Sequence, residues 1–177
     1  MKPCFEVFIA TEGFEPPEGY ADAVRVTRVT RTGPRVRGPR FGSLVHLVLR
    51  DVEYDAPAET VARIAGTHGR LVDATEEEIE AAAEAVVGCL KHPLLDLALK
   101  ATTVHSELPI VIKTDSGPLL DAVVDLAFED LSGWTVVDFK TDAEDPQRLL
   151  KYRRQVGWYG GLELIKQKRP TGWLLHI

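Results

Sequence analysis

Helical spacing of apolar residues is clearest in the segment that follows Thr75. Thr75 and Glu78 have the spacing of a capping box, in which each side chain bonds the backbone N–H of the other residue. Apolar residues then recur every three or four positions, as they do on one face of an α-helix. They are Ile79, Ala82, Ala83, Val86, Val87 and Leu90. Pro93 cannot continue such a helix, so the pattern predicts a helix that ends before it.

One shorter helix is predicted on each side of this one. Residues 41–50 carry apolar side chains at helical spacing, and Ser43 is of the residue type that caps a helix N-terminus. Residues 94–101 show the same pattern over a shorter length.

A last helix is predicted to begin after Asp145. Aspartate is a favoured N-cap residue, and Pro146 suits the first helical position because its missing N–H would be unsatisfied there anyway. The predicted helix runs to about residue 167 and contains three glycines, Gly157, Gly160 and Gly161. Each glycine costs about 0.8–1 kcal/mol relative to alanine, so the absence of a side chain must serve a purpose there.

Strand-like patterns occupy most of the rest of the chain. Residues 103–114, 119–129 and 134–141 are separated by Asp-Ser-Gly-Pro and Asp-Leu-Ser-Gly turns and predict an antiparallel meander. Residues 171–177 predict one more strand, and residues 4–10 alternate in a way that suits another. A helix, three strands, a helix and a strand in this order are typical of an α/β fold with a mixed sheet flanked by helices.

The amino-acid composition indicates the class of protein and its location in the cell. With 45% hydrophobic and 27% charged residues, the 177-residue chain is typical of a globular domain. No run approaches the ~18 apolar residues of a membrane span, and the N-terminus lacks the order of a signal peptide. These features predict a cytoplasmic protein with no membrane contact. Cys4 and Cys89 are too few to supply the thiolates of an iron–sulfur cluster.

Charge is distributed unevenly along the chain. The net charge is -6, yet residues 25–50 contain seven arginines and no carboxylate. A soluble linker is the ordinary interpretation of such a run, and binding to nucleic-acid phosphates is the functional alternative. The residues that would make those contacts are Arg35, Arg37 and Arg40 from this run and Lys151 and Arg154 from a second basic cluster.

Candidate chemistry begins with Asp138 and Lys140, which are two residues apart and therefore share one face of a strand. A surface ion pair is the ordinary interpretation of this spacing. If Glu129 pairs with Trp134 across the preceding turn, however, Asp125 lies directly opposite Asp138. Directly opposite side chains have Cβ atoms about 4.5–5.5 Å apart, and two carboxylates placed in this way repel each other unless a proton or a cation lies between them. Oxygen ligands of this kind suit Mg²⁺, Mn²⁺ or Ca²⁺ better than zinc.

The opposite face of these two strands is predicted to form one apolar surface. Its members are Leu120, Ala122, Val124, Leu126, Phe128, Thr135, Val137 and Phe139. Glu107 fits this arrangement less well. A four-residue turn over 115–118 would pair Glu107 with Leu126, on the wrong face for the acidic pair, unless a bulge near Pro109 shifts the register.

Five segments together resemble one nuclease family. They are Phe41-Gly-Ser-Leu-Val-His46, Glu107-Leu-Pro109, Ala122-Val-Val-Asp125, Val136-Val-Asp-Phe-Lys-Thr141 and Gln155-Val-Gly-Trp-Tyr159. In this order they resemble the RecB-like nucleases of the PD-(D/E)xK superfamily, and most of all the C-terminal nuclease domain of AddA-type, UvrD-related helicase-nucleases. The resemblance implies a restriction-endonuclease-like core over residues 37–177, preceded by an N-terminal extension and Arg-rich connector over 1–36.

The resemblance also implies roles for single residues. Lys140 would be the catalytic lysine, and Gln155 and Tyr159 would form the family's Gln-x-x-x-Tyr motif near the scissile strand. Metal would be held by His46, Asp125, Asp138, the backbone carbonyl of Phe139 and Glu107. Proximity to the predicted helix N-terminus would keep the imidazole of His46 neutral.

Two positions depart from the family pattern. Ala122 replaces a frequent glycine, and Ser106 replaces an arginine that commonly precedes the glutamate.

Together these features predict a Mg²⁺- or Mn²⁺-dependent deoxyribonuclease that acts as an exonuclease. It would be the nuclease module of a helicase-nuclease in double-strand-break repair and recombination. No Gly-x-x-x-x-Gly-Lys-Ser/Thr motif is present, so no nucleotide cofactor is expected and the helicase motor would lie in a longer chain or a separate partner protein. The alternatives are a catalytically silent DNA-end-binding or scaffolding module of the same fold and an independent single-strand nuclease.

Overall fold

The computed structural model describes residues 7–9, 16, 18–30, 36–113, 119–142, 145–160 and 171–177. Its helices are α1 (Pro39–Asp51), α2 (Ala58–Leu71), α3 (Glu76–Leu90), α4 (Pro93–Leu99) and α5 (Pro146–Gly160). Its strands are β1 (Val7–Ile9), β2 (Arg25–Arg28), β3 (Thr103–Lys113), β4 (Leu119–Asp130), β5 (Gly133–Lys140) and β6 (Thr171–His176). Two of these elements, α2 and β2, are absent from the predictions made from the sequence.

The helix boundaries follow local capping chemistry. The capping box of α3 is confirmed, because Thr75 accepts from the Glu78 N–H and the Glu78 side chain accepts from the Thr75 N–H. The start of α5 is confirmed as well, because the carboxylate of Asp145 accepts from the N–H of Gln147 at 3.0 Å. Ser43 as the cap of α1 is wrong. That helix begins at Pro39, with Gly38 as N-cap at φ 125°.

Among the described residues the sheet has six strands. Along its main path the order is β1-β4-β5-β6-β2, and β3 pairs with β4. The predicted meander is confirmed, since β3, β4 and β5 pair antiparallel in sequence. The other pairs, β1 with β4, β5 with β6 and β6 with β2, are parallel. The mixed α/β sheet predicted from the order of elements is therefore confirmed.

Among the residues that the structure describes, two apolar cores cover the two faces of this sheet. The larger one joins α1, α2, α3 and α4 to side chains such as Phe128, Val137 and Leu175. It also contains Cys89 as a free, buried thiol, whereas Cys4 lies outside the described residues. The smaller core joins α5 to another set that includes Val136 and Leu174. Alternate residues of β5 and β6 thus serve opposite layers, as side chains of a strand must.

The N-terminal segment contributes to the same sheet. β1 lies beside β4 and β2 lies beside β6. The division of the chain into an extension over 1–36 and a nuclease domain over 37–177 stays a prediction. Within the described residues, no helix is both long and apolar enough to cross a lipid bilayer.

Gly157 in α5 lies against the backbone of the N-terminal segment. A Cβ at this position would lie 3.0 Å from the backbone nitrogen of Ala21 and 3.2 Å from Cγ of Pro16. We expect Gly157→Ala to destabilise the protein by about 1–3 kcal/mol, because backbone atoms give way less easily than a flexible side chain. Urea unfolding monitored by circular dichroism measures this change.

Gly66 in α2 provides the matched control. A Cβ there would approach only Nη1 of Arg70, at 3.8 Å. Gly66→Ala should be neutral or stabilise by about 0.5–1 kcal/mol, since alanine is the better helix former. A Gly157→Ala protein that gains stability as Gly66→Ala does would contradict the close packing of α5 on Pro16 and Ala21.

Candidate active site

One face of α1 is buried in the larger core, and another lines an open cleft of about 550 Å³. The buried residues of the helix are Phe41, Leu44, Val45, Val48 and Leu49. The cleft is lined by Pro39, Gly42, Ser43, His46, Leu47 and Arg50 from the α1 segment and by Glu107 and Asp125 from the strands. This division follows helical periodicity, because residues three and four apart share a face.

A glycine allows α1 to approach the end of β5. A Cβ at Gly42 would lie 2.8 Å from Oγ1 of Thr141, the residue that follows β5. A side chain at this position would therefore force either Thr141 or the helix to shift at the strand end that carries Asp138 and Lys140. His46 lies one turn further along the same helix.

Glu107 lies opposite Asp125 in the β3–β4 pair. Ser106 pairs with Leu126 and Leu108 pairs with Val124. The predicted pairing of Glu107 with Leu126 is therefore wrong. The register differs by one residue because five residues, 114–118, separate the paired ends of β3 and β4 rather than the four assumed from the sequence. No change of register occurs near Pro109, since the pairs on both sides of Glu107 follow one register.

Glu107 also has an unusual backbone conformation, with φ 52°. Such a value costs a non-glycine residue about 1–3 kcal/mol and is found mainly where the surrounding structure imposes it, often at functional sites. Near Glu107 and Asp125, the apolar side chains of β4 change from one face of the sheet to the other. Leu126 belongs to the larger core, whereas Val124 belongs to the smaller one. The prediction of a single apolar face for β4 is thus wrong. The carboxylates of Glu107 and Asp125 lie at the point where the apolar side chains of β4 pass from one core to the other.

His46, Glu107 and Asp125 form a group with metal-ligand geometry. One possible ligand atom from each lies within 4.8 Å of the others, and Nδ1 of His46 is 3.6 Å from Oδ1 of Asp125. Two carboxylates with one imidazole suit a divalent cation such as Mg²⁺ or Mn²⁺. The residues present therefore fit the metal that the sequence resemblance implies.

The electrostatics of Asp125 favour a cation at this place. Burial raises the pKa of Asp125 well above its ordinary value, and the nearby charge of Asp138 raises it further. Two features act in the other direction. The charge of Lys140 lowers this pKa, and the backbone N–H of Phe139 donates to Oδ2 of Asp125 at 2.7 Å. The ionised carboxylate of Asp125 is thus destabilised in the protein alone, and a bound cation would relieve that cost.

Asp138 and Lys140 form a buried ion pair next to this group. Nζ of Lys140 lies 2.5 Å from Oδ2 of Asp138, whose side chain is 1% exposed. Burial alone would lower the pKa of Lys140, but the charges of Asp138 and Asp125 outweigh it and raise that pKa. The ammonium also lies 4.6 Å from the ring centroid of Tyr152. Lys140 is therefore a fixed cation, and a role as general base does not suit it.

Asp138 is the predicted ligand that the described structure places differently. Its carboxylate pairs with Lys140, and the group of three described above does not include it. The register predicted for β4 and β5 is nonetheless confirmed, since Glu129 pairs with Trp134 and Leu126 with Val137. Its role as a metal ligand stays a proposal.

The imidazole of His46 is suited to bind a metal as the neutral form. Burial lowers the pKa of His46, and the positive charge of Lys140 lowers it further. The helix N-terminus is not the cause, because α1 begins at Pro39 and His46 lies two turns inside it. Phe139 lies close by: the two rings meet edge to face at 6.4 Å, and a backbone hydrogen bond at Phe139 partly offsets the lowered pKa.

Neither Gln155 nor Tyr159 is among the described residues that line the cleft. Tyr159 is fully buried; its hydroxyl donates to the carbonyl of Val123 at 3.1 Å and accepts from Nε2 of Gln155 at 2.6 Å. Burial raises the pKa of this phenol, so it stays a hydrogen-bond donor. β1 pairs with residues of β4 up to Asp121, and β5 pairs with residues of β4 from Leu126 onward. Tyr159 thus satisfies a β4 carbonyl in the gap between them.

The predicted DNA-binding residues are spread over different parts of the molecule. Arg35 lies outside the described residues, and Arg37 and Lys151 are exposed. Arg40 donates from its guanidinium to both carboxylate oxygens of Glu78, at 3.1 and 3.0 Å. Arg154 is partly buried in α5. None of the four that the structure describes lines the cleft, whereas Arg50 does.

Comparison with known proteins places these observations in a family. The model of the PD-(D/E)XK nuclease superfamily matches residues 20–168. The chain therefore belongs to the PD-(D/E)XK nuclease superfamily.

One relative adds detail to this assignment. It is an ATP-dependent helicase/nuclease subunit from Anoxybacillus flavithermus (strain DSM 21510 / WK1), and it is 28% identical over 150 residues. The match covers 77% of this chain and 12% of the relative. The chain thus spans about an eighth of the length of the curated relative that it matches.

Proposed function

We propose that this chain is a Mg²⁺- or Mn²⁺-dependent deoxyribonuclease that hydrolyses phosphodiester bonds. The observation that carries the proposal is the group of His46, Glu107 and Asp125 in an open cleft, with the ion pair of Asp138 and Lys140 next to it. The fold and the family membership support the same activity.

In this proposal His46, Glu107 and Asp125 hold the metal, with Asp138 and the carbonyl of Phe139 as further ligands. A divalent cation bound there would polarise a phosphate oxygen and lower the pKa of an attacking water molecule. Burial and the charge of Lys140 lower the pKa of His46, which favours the neutral form that can bind a metal.

Lys140 supplies the second part of the chemistry. Asp138 and the ring of Tyr152 hold its ammonium beside the carboxylate group. A fixed cation in a partly desolvated site stabilises negative charge as it develops on a phosphate, and it needs no reorganisation to do so. Gln155 and Tyr159 contribute by keeping the backbone of β4 in place.

The relative's name supports a narrower proposal. The chain would be the nuclease module of a helicase-nuclease. The predictions made from the sequence extend this proposal to an exonuclease that acts in double-strand-break repair and recombination in the cytoplasm. Since this chain covers only 12% of the relative, the helicase motor would lie in a longer chain or in a separate partner protein.

Cleavage assays test the activity directly. The purified chain is incubated with end-labelled single- and double-stranded DNA in Mg²⁺, in Mn²⁺ and in a chelator. Cleavage that needs the metal is expected. Linear substrates should be degraded and covalently closed circles spared if the enzyme acts from ends. Binding to DNA without cleavage in either metal would overturn the nuclease proposal and favour a silent end-binding module, and cleavage of circular single strands would favour an independent single-strand nuclease.

A further inference from the structure

Arg50 lies next to the proposed metal group without belonging to it. It follows His46 by four residues on α1, so the two side chains lie one turn apart on the same face. With a rise of about 1.5 Å per residue, they are separated by about 6 Å along the helix axis. Both line the cleft together with Glu107 and Asp125. A group bound at the carboxylates is therefore within reach of the long arginine side chain.

The charge of the cleft gives Arg50 a distinct position. Of the described residues that line the cleft, Arg50 is the only one with a permanent positive charge. Phosphates entering the cleft approach the carboxylates of Glu107 and Asp125, which repel them. A cation on the wall of the cleft offsets this repulsion for phosphates beyond the direct reach of the metal.

The guanidinium of Arg50 is held in a defined orientation. Its Nε donates to Oδ1 of Asp51 at 2.7 Å and its Nη2 donates to Oδ2 at 3.1 Å. Asp51 is itself fixed by His68, whose Nε2 lies 2.7 Å from Oδ2. This arrangement uses one N–H on Nε and one on Nη2. The two N–H groups on Nη1 and the second on Nη2 remain at the outer edge of the fork.

The exposure of the Arg50–Asp51 ion pair favours a role in ligand binding over a role in stabilising the fold. The side chains of Arg50 and Asp51 are 43% and 39% exposed, and ion pairs this exposed contribute little to stability. A planar fork with N–H groups left at one edge matches the oxygens of a phosphate, which arginine contacts with two parallel hydrogen bonds.

We infer that Arg50 binds a phosphate of the substrate strand next to the scissile position, with Asp51 and His68 orienting its guanidinium. This inference rests on the proposed nuclease function and names the residue that anchors the substrate. Because the contact is the same in the ground state and the transition state, its loss raises KM more than it lowers kcat.

Arg50→Gln tests the inference against Arg63→Gln, which removes one exposed arginine from α2, away from the cleft. Binding of a fluorescein-labelled oligonucleotide is measured in Ca²⁺, under conditions in which the oligonucleotide stays intact, over about 50–200 mM salt. The Arg50→Gln protein should bind about ten-fold more weakly, and its plot of log K against log salt should be shallower by about 0.7–0.9. Arg63→Gln should change neither quantity.

Cleavage kinetics provide a second readout. Arg50→Gln should raise KM about ten-fold and leave kcat within about two-fold of wild type. Arg50→Lys keeps the charge and loses the fork, so it should restore the salt slope while KM stays raised. Melting temperatures equal to wild type show that both variants are folded.

The outcomes separate this inference from the proposed function. A wild-type enzyme that cleaves DNA, with a salt slope and KM that Arg50→Gln leaves unchanged, overturns only the role of Arg50. The same conclusion follows if Arg63→Gln has an equal effect, since only overall charge is then at work. If wild type binds DNA without cleaving it, the nuclease proposal fails while the salt slope still decides the contact. Wild type that binds no DNA overturns both.

Discussion

Asp125→Asn should raise the melting temperature of the metal-free protein and remove most of its stabilisation by Mg²⁺ or Mn²⁺. Burial and the charge of Asp138 destabilise the ionised carboxylate of Asp125, and asparagine removes that charge at nearly constant volume. Each kcal/mol of added stability corresponds to about 2–4 °C for a chain of this size. Thermal melts in chelator and in increasing metal concentrations measure both effects.

The pH dependence has a definite sign. Asp125 has a raised pKa in the folded protein, so the folded state binds more protons than the unfolded chain between the ordinary carboxyl pKa and that raised value. Metal-free stability should therefore fall as pH rises through this range. Asp125→Asn should remove this part of the pH dependence.

The metal effect should be large enough to resolve. At a metal concentration of about 100 times Kd, binding to the native state alone stabilises it by about 2.7 kcal/mol. Asp121→Asn is the matched control, because it removes an exposed carboxylate from the same strand and should keep both the metal shift and cleavage. An Asp125→Asn protein that still cleaves DNA, or that gains as much from metal as wild type does, is incompatible with the site described above.

Asp138 should behave in the opposite way. The sequence alone treats the two aspartates as an equivalent repelling pair. In the structure the carboxylate of Asp138 pairs directly with Nζ of Lys140, whereas at Asp125 the more distant charge of Lys140 is outweighed by burial and by the charge of Asp138. Removing the charge of Asp138 would leave a buried ammonium without its counter-ion, so Asp138→Asn should lower the stability of the metal-free protein.

Local sequence signals were sufficient to predict much of the sheet. The short turn after β4 fixes the pairing of Glu129 with Trp134, because register in a hairpin follows from the turn. The actual turn is tighter than the four-residue loop predicted, since Asp130 pairs with Gly133, but a loop shortened by one residue on each side keeps the register. The helix starts at Thr75 and Asp145 were predictable for the same reason: capping depends on residues close together in sequence.

Features that depend on distant parts of the chain were not predictable. The position of Glu107 depends on a loop length and on a left-handed backbone conformation that no residue type announces. β2 has the sequence of a basic connector, and only its pairing with β6 makes it a strand. The role of Tyr159 depends on a gap in pairing along β4, which appears only when β1 and β5 are both in place.

Lys140→Ala should abolish most cleavage while metal and DNA binding remain. Its ammonium is held within the site by Asp138 and Tyr152, and removing one fixed charge that stabilises a transition state typically lowers kcat by about 10²–10³-fold. The metal-induced rise in melting temperature should persist, because the lysine is not a ligand. Single-turnover cleavage rates and thermal melts with metal measure the two properties separately.

Folding has to be controlled in this experiment, because alanine leaves the carboxylate of Asp138 buried without its partner. Breaking such a pair costs about 3–5 kcal/mol. The double variant Lys140→Met with Asp138→Asn removes both charges and should recover stability without recovering cleavage. Lys91→Ala, an exposed lysine at the end of α3, should change neither property. Since the pKa of Lys140 is raised, the wild-type lysine is charged throughout the neutral range and does not act as a general base. A higher pH supplies more hydroxide as a base, and it should therefore not rescue the Lys140→Ala variant. A Lys140→Ala enzyme with wild-type turnover would leave Asp138 and Lys140 as a structural ion pair and assign the chemistry to the metal ligands alone.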